Sequence, residues 1–177
     1  MTSGMRTHRT GAVLLLPVLL LALSACGFHL RGAHELPPQL SPLYLDKASM
    51  SYPLYQELRA ALKASGVALT TEPAQAASEL SITRESRSRA VLAVDSSGRG
   101  REYELRYELG FSMKAGDQAI IDNGNLQLHR NLLSDPETVL GVANEQESLY
   151  QDMMRDGTGL ILLRIQAATR APAKAAE

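Results

Sequence analysis

The chain has one cysteine, no tryptophan, two phenylalanines and no surplus of basic residues, and each scarcity removes a class of protein. A single thiol, Cys26, excludes a disulfide within the chain and any cysteine-rich metal site. With no Trp and little Phe, the interior has to be assembled from Leu, Ile, Val, Met and Tyr. The 18 Lys and Arg residues face 19 Asp and Glu, a formal charge of −1, so no global positive field exists to hold nucleic acid. After Leu23 no apolar stretch reaches the length of about 20 residues that a membrane-spanning helix needs.

The one long apolar run comes early. Arg6 and Arg9 precede a stretch from Gly11 to Leu23 interrupted by Pro17, the charged-then-apolar layout of an export signal and too short to cross a bilayer. Leu23-Ser24-Ala25-Cys26 closes it. Small residues directly before a cysteine resemble a bacterial lipobox, where the thiol is diacylated, the leader 1–25 is cut away and the new amino terminus is acylated. Two plainer readings are an ordinary cleaved leader beside a chance cysteine, and a leader retained as an anchor. Lipidation at Cys26 accounts for an otherwise unpaired thiol in an exported chain. Acyl chains at about 0.8 kcal/mol per buried CH2 would then tether the protein without spanning the membrane. Gly27, rather than Asp, resembles the signal that sorts such lipoproteins to the outer membrane. Loss of Arg6 and Arg9 moves the formal charge from −1 to −3, and residues 26–177 suffice for one domain with a single core.

From 26 to 42 the chain carries Gly32, Pro37, Pro38 and Pro42 and reads as an extended lead. Leu43-Tyr44-Leu45-Asp46 reads as a short strand. Pro53 opens a helix over 53–65, with Leu54, Leu58, Ala61 and Leu62 as its apolar stripe and Gly66 as its stop. Val67-Ala68-Leu69 begins a return to the sheet, a right-handed crossover with parallel neighbours. A strand over 79–94 with a polar middle follows, and Asp95-Ser96-Ser97-Gly98 turns the chain. Tyr103, Leu105, Tyr107, Leu109, Phe111 and Met113 then alternate with polar residues through 102–114, a strand with one dry face and one wet one. Ala115-Gly116-Asp117-Gln118 turns into a strand over 119–132, with Leu126, Leu128 and Leu132 inward. Beyond Asp135-Pro136, Asn144 is placed to cap a helix with Glu147 completing a capping box, and Leu149, Met153 and Leu160 follow at helical spacing. Gly157 and Gly159 lie inside it. The Ala-rich chain from Gln166 has no pattern to bury, so the domain is expected over 43–168 with a disordered tail over 169–177. The expected fold is α+β: a two-layer sandwich of a four-stranded, mostly antiparallel sheet with two helices on one face, in the order β-α-β-β-β-α.

Catalytic chemistry is sparse. His29, His34 and His129 have no Cys or carboxylate cluster at ligand spacing, Gly98-Arg99-Gly100 lacks the rest of a phosphate loop, and no serine sits in a nucleophile elbow. Glu102, Glu104 and Glu108 alternate on one strand face, as paired acids of a hydrolase would and as the wet side of a sheet ordinarily does. The expectation is a non-enzymatic protein with no metal and no cofactor beyond lipid on Cys26. One charge feature is distinct: residues 84–101 hold Arg84, Arg87, Arg89, Arg99 and Arg101 against Glu85 and Asp95, in an otherwise acidic chain. Arg87 and Arg89, two apart on a strand, share a face, and the planar guanidinium suits phosphate oxygens. The plainer alternative is a solvated hairpin tip with cross-strand pairs such as Arg89 to Glu102.

Four stretches, taken together and in order, carry a resemblance that covers essentially the whole chain after the leader. They are Cys26-Gly27-Phe28-His29-Leu30-Arg31-Gly32, the strand-helix unit ending Ser65-Gly66-Val67, Arg101-Glu102-Tyr103-Glu104-Leu105, and Asn144-Glu145-Gln146-Glu147. They resemble the lipopolysaccharide-assembly lipoprotein family LptE. The resemblance implies two helices on a four-stranded sheet and an outer-membrane lipoprotein seated partly inside the barrel LptD as a plug and folding partner. It also implies binding of lipopolysaccharide, whose lipid A phosphates would suit Arg87, Arg89, Arg99 and Arg101. The segment from Leu133 to Ala143 contains no Lys or Arg, so no cation is carried over there. A periplasm-facing scaffold of another envelope complex, without a lipid ligand, is the alternative function.

Overall fold

The computed structural model describes residues 36–134 and 139–170. The lipidation candidate Cys26, the leader and residues 171–177 lie outside this range. Strand β1 (Leu43–Asp46) leads to helix α1 (Tyr52–Ala64), a two-residue strand β2 (Leu69–Thr70), and three long strands, β3 (Ser78–Val94), β4 (Gly100–Ala115) and β5 (Gln118–Leu133). Helix α2 (Val139–Arg170) closes the order.

The sheet has five strands in the order β2-β1-β3-β4-β5, not four. β1 pairs parallel with both β2 and β3, while β3, β4 and β5 form an antiparallel meander. The parallel pairing expected on either side of α1 is present, but α1 leads to a separate edge strand before the chain continues past β1 into β3. Two residues cannot display a period, so β2 carries no strand signal of its own in the sequence.

One core forms between the sheet and both helices. α1 contributes Leu54, Leu58 and Leu62, and its start follows from Ser51, whose Oγ accepts the Leu54 N–H at 3.4 Å, and from Pro53 in the first turn. β4 contributes Leu105, Tyr107, Leu109, Phe111 and Met113, the alternation expected, and β5 contributes Leu126, Leu128 and Leu132. Leu36 and Leu40, in the stretch read as an extended lead, are buried in the same core, and Pro38–Leu40 forms a 3-10 turn.

α2 departs furthest from expectation. It begins by Val139, so Asn144 is an interior helical residue rather than a cap, and it continues through Gln166 to Arg170, residues expected in or near a disordered tail. Its buried stripe is Tyr150, Met153, Met154, Thr158, Ile161, Leu162 and Ile165, with Gly157 also buried, whereas Leu160 is 40% exposed. Tertiary packing carries this helix past the point where local composition stops favouring it.

The Thr158 hydroxyl is buried with no hydrogen-bond partner among the described residues. A Val of the same shape removes the stranded polar group, so Thr158→Val should stabilise the domain by about 1 kcal/mol in thermal or urea unfolding. A destabilised variant would show that the hydroxyl is satisfied in solution.

Candidate functional site

The arginine-bearing hairpin is built by β3 and β4. At its tip the three residues Ser96, Ser97 and Gly98 join Asp95 to Arg99, whose backbone carbonyl accepts the Asp95 N–H at 2.8 Å. Gly98 takes φ +79, the left-handed conformation that closes such a turn. Asp95 Oδ1 accepts from the Ser97 N–H (2.8 Å), the Ser97 hydroxyl (2.6 Å) and the Arg99 N–H (3.0 Å), and Oδ2 accepts from Arg99 Nε at 3.1 Å. The Ser97 hydroxyl and the Arg99 backbone hold the Asp95 carboxyl well below the usual carboxylate range. Arg99 therefore serves the turn itself.

Where Arg87 and Arg89 point is decided several residues away. Leu80 and Ile82 face the core, and uninterrupted alternation would send Arg84 inward and both Arg87 and Arg89 outward. Thr83 is an extra residue in the ladder: Ile82 pairs with Phe111 and Arg84 with Gly110. This bulge inverts the alternation. Gly110 makes it possible, because a β-carbon there would stand 2.7 Å from Thr83 Oγ1. Beyond the bulge, Glu85 lies opposite Leu109, Arg87 opposite Tyr107 and Arg89 opposite Leu105, all on the face covered by helices.

Arg87 and Arg89 are brought together on one face as expected, and α2 lies against them. Arg87 Nη1 donates to Glu147 at 3.3 Å, with its guanidinium 5.8 Å from the Tyr107 ring centroid and 5.1 Å from that of Tyr150. Arg89 donates to Gln146 Oε1 at 3.0 Å and stacks 4.5 Å from the Tyr103 ring. The Tyr150 hydroxyl donates to the Ser88 carbonyl at 2.8 Å. Burial raises the Tyr150 phenol above its ordinary pKa, while Arg87 and Arg89 oppose that shift. Glu147, expected to complete a capping box with Asn144, and its neighbour Gln146 thus fasten α2 to the hairpin. The Arg89 to Glu102 pair does not form; Glu102 accepts from Asn131 Nδ2 at 2.9 Å instead.

Arg101 is exposed, and among the described residues its guanidinium has no partner. At the same end of the hairpin β3 exposes large apolar side chains to which the sequence pattern assigns no role: Val91 (56% exposed), Leu92 (50%) and Val94 (59%). Their signal was visible as an apolar run directly before a polar turn. Its meaning depended on how far the helices reach, which no local pattern encodes.

The open face of the sheet is a lattice of paired charges. Arg84 contacts Glu108 at 3.3 Å, Lys114 contacts Glu79 at 3.0 Å, and Arg106 binds Glu104. Glu102, Glu104 and Glu108 thus each have a partner, the ordinary state of a solvated strand face. Among the described residues no three His, Cys, Asp or Glu side chains gather as metal ligands, and no helix is long and apolar enough to cross a membrane.

Residues 40–165 match the model of the family LptE, described as lipopolysaccharide-assembly. The chain belongs to the LptE family. Members of this family are non-enzymatic lipoproteins. The LPS-assembly lipoprotein LptE of Yersinia enterocolitica is 28% identical over 153 residues, covering 86% of this chain and 73% of that protein. The protein of the same name from Pectobacterium atrosepticum is 27% identical over 141 residues, 79% of this chain and 76% of its own. The solution structure of lipoprotein B from Nitrosomonas europaea superposes with a TM-score of 0.68 at 26% identity, over 82% of this chain and 94% of that one. The crystal structure of rare lipoprotein B from Shewanella oneidensis shares the fold, with a TM-score of 0.62 at 23% identity over 72% and 95% of the two chains. In this LptE family member the sheet therefore carries two surfaces of opposite character, a charged lattice on its open face and an apolar, arginine-bearing hairpin end.

Proposed function

We propose that this chain is an outer-membrane lipoprotein, acylated at Cys26, that joins the barrel LptD as its plug and folding partner and takes lipopolysaccharide at the β3–β4 hairpin. The observation that carries the lipid contact is the hairpin end itself: Arg101, without a partner among the described residues, at the same end as exposed Val91, Leu92 and Val94. Lipopolysaccharide is an amphiphile with phosphates next to acyl chains, and a cation next to exposed aliphatic groups complements both parts. Arg99 adds charge from the turn, while Arg87 and Arg89 contribute through the position of α2. The paired charges of the open face suit a water-filled lumen, as a barrel plug requires.

Arg101→Glu is expected to weaken lipopolysaccharide binding by about tenfold with an unchanged melting temperature, since its guanidinium has no partner to lose among the described residues. Arg87→Glu should lower both, because it also severs α2 from the hairpin. Unaltered binding by Arg101→Glu would remove the lipid contact from the proposal. Affinity purification of the tagged protein from its own envelope in mild detergent tests the remainder. A single large β-barrel in about equal amount supports the plug, and elution alone or with a soluble complex favours the scaffold reading.

A further inference from the structure

The sheet edge formed by β2 carries features the hairpin does not explain. In the parallel pairing, the Ala68 carbonyl accepts the Leu43 N–H at 2.8 Å, which leaves the N–H and C=O of Leu69 directed outward. Among the described residues no strand lies beyond this one. Between the edge and the flank of α1 lies a groove of about 430 Å³. Leu45, Val67 and Leu69 line it together with Lys47, Arg59 and Lys63, and among the described residues no Asp or Glu does. All three cations are exposed and, among the described residues, have no hydrogen-bond or ion-pair partner. A positive groove in a chain of net charge −1 is a local reversal of sign.

We propose that this groove docks an extended acidic protein segment, which adds to the outer edge of β2 as a further strand. The spacing of the charges favours an extended occupant over a single phosphate. Tyr55, Arg59 and Lys63 follow one another at intervals of four on a single stripe of α1, so successive positions are about 6 Å apart along the helix axis. Alternate side chains on a strand are about 6.6 Å apart. Because α1 connects two parallel neighbours it runs antiparallel to them, and its cations are laid out along the strand direction. Lys47, just past the end of β1, extends the row at the other end. A lone phosphate prefers donors converging on one point. Strand addition supplies main-chain hydrogen bonds to Leu69, and the cation row selects for carboxylates on one face of the incoming segment.

The test is a titration of the full-length, detergent-solubilised protein with a short synthetic peptide that alternates Glu and Val. Amide shifts and hydrogen exchange are followed at Leu69 and Thr70. The peptide should slow exchange at Leu69, and Arg59→Glu/Lys63→Glu should weaken its binding by about tenfold or more at an unchanged melting temperature. If that double variant is destabilised, Arg59→Gln/Lys63→Gln supplies the same comparison. The proposal is overturned if no binding occurs up to about 1 mM peptide. It is equally overturned if a control peptide that alternates Lys and Val, or a backbone N-methylated Glu–Val peptide, binds as well as the original. Inorganic phosphate shifting the same amides where the peptide does not would assign the groove to small anions, and would also overturn it.

Discussion

Replacing Glu85 with alanine is expected to lower the unfolding free energy by about 3 to 5 kcal/mol. Its carboxylate accepts from the Ser51 N–H at 2.6 Å, the Ser51 hydroxyl at 2.9 Å and the Tyr107 hydroxyl at 2.8 Å. Ser51 is the N-cap of α1, so the acid sits at the positive end of that helix and ties it to β3 and β4 at once. Alanine would strand three donors, one on a tyrosine with no exposed surface. Glu85→Gln keeps an acceptor and should cost less, about 1 to 2 kcal/mol. The Tyr107 phenol gives a second readout. Burial first, then the hydrogen bond to Glu85 and its charge, raise its pKa well above the ordinary value of 10.0. A raised folded-state pKa stabilises below the unfolded value and is lost as pH climbs above it. Wild-type stability should therefore fall above about pH 10 more steeply than that of Tyr107→Phe. Urea unfolding between neutral and alkaline pH checks both statements; an Ala variant as stable as wild type would show that the three bonds are replaced by water without loss.

Gly157→Leu is expected to cost about 3 kcal/mol or more, because α2 crosses the sheet at that glycine. A β-carbon there would meet Leu109 Cδ1 at 2.9 Å and Leu128 Cδ1 at 3.5 Å, the terminal atoms of flexible side chains. Gly157→Ala should be near neutral, since a few tenths of an ångström of movement in Leu109 offsets a helix-propensity gain of about 1 kcal/mol. Leucine has no such escape in an interior packed at crystal-like density. Gly159 is the control: no described residue lies within 4 Å of its would-be β-carbon, so Gly159→Ala should stabilise by about 1 kcal/mol. Thermal unfolding with amide exchange along α2 separates the three. A neutral Gly157→Leu would mean that the helix stands off the sheet.

Much of this fold is written in local patterns. The six alternating side chains from Tyr103 to Met113, the Asp95 and Gly116 turns, and the stripe of α1 all report on their own neighbours, and each lies where the residues said. What failed to show was non-local. The bulge at Thr83 depends on Gly110 across the strand, so the face of Arg87 and Arg89 could not be read from β3 alone. β2 is too short for a period, and α2 begins before its apparent cap and outlasts its apolar stripe because β4 and β5 hold it. For the hairpin, residue type gathers Arg87, Arg89, Arg99 and Arg101 into one segment without assigning them separate roles. Only the ladder distinguished the two that grip α2, the one that braces the turn and the one left open.

The inserted residue at Thr83 makes this hairpin sensitive to length in a way that it is not to composition. A strand has a parity, and a single deletion between the bulge and Arg87 would restore it. Ser86 and Ser88 would then exchange faces with Arg87 and Arg89, and α2 would lose its partners without one side chain having been altered. Substitutions in this segment are graded changes, whereas insertions and deletions of odd length are reversals. Relatives that keep α2 clamped in this way must therefore keep the residue count from Ile82 to Arg89, or change it by two.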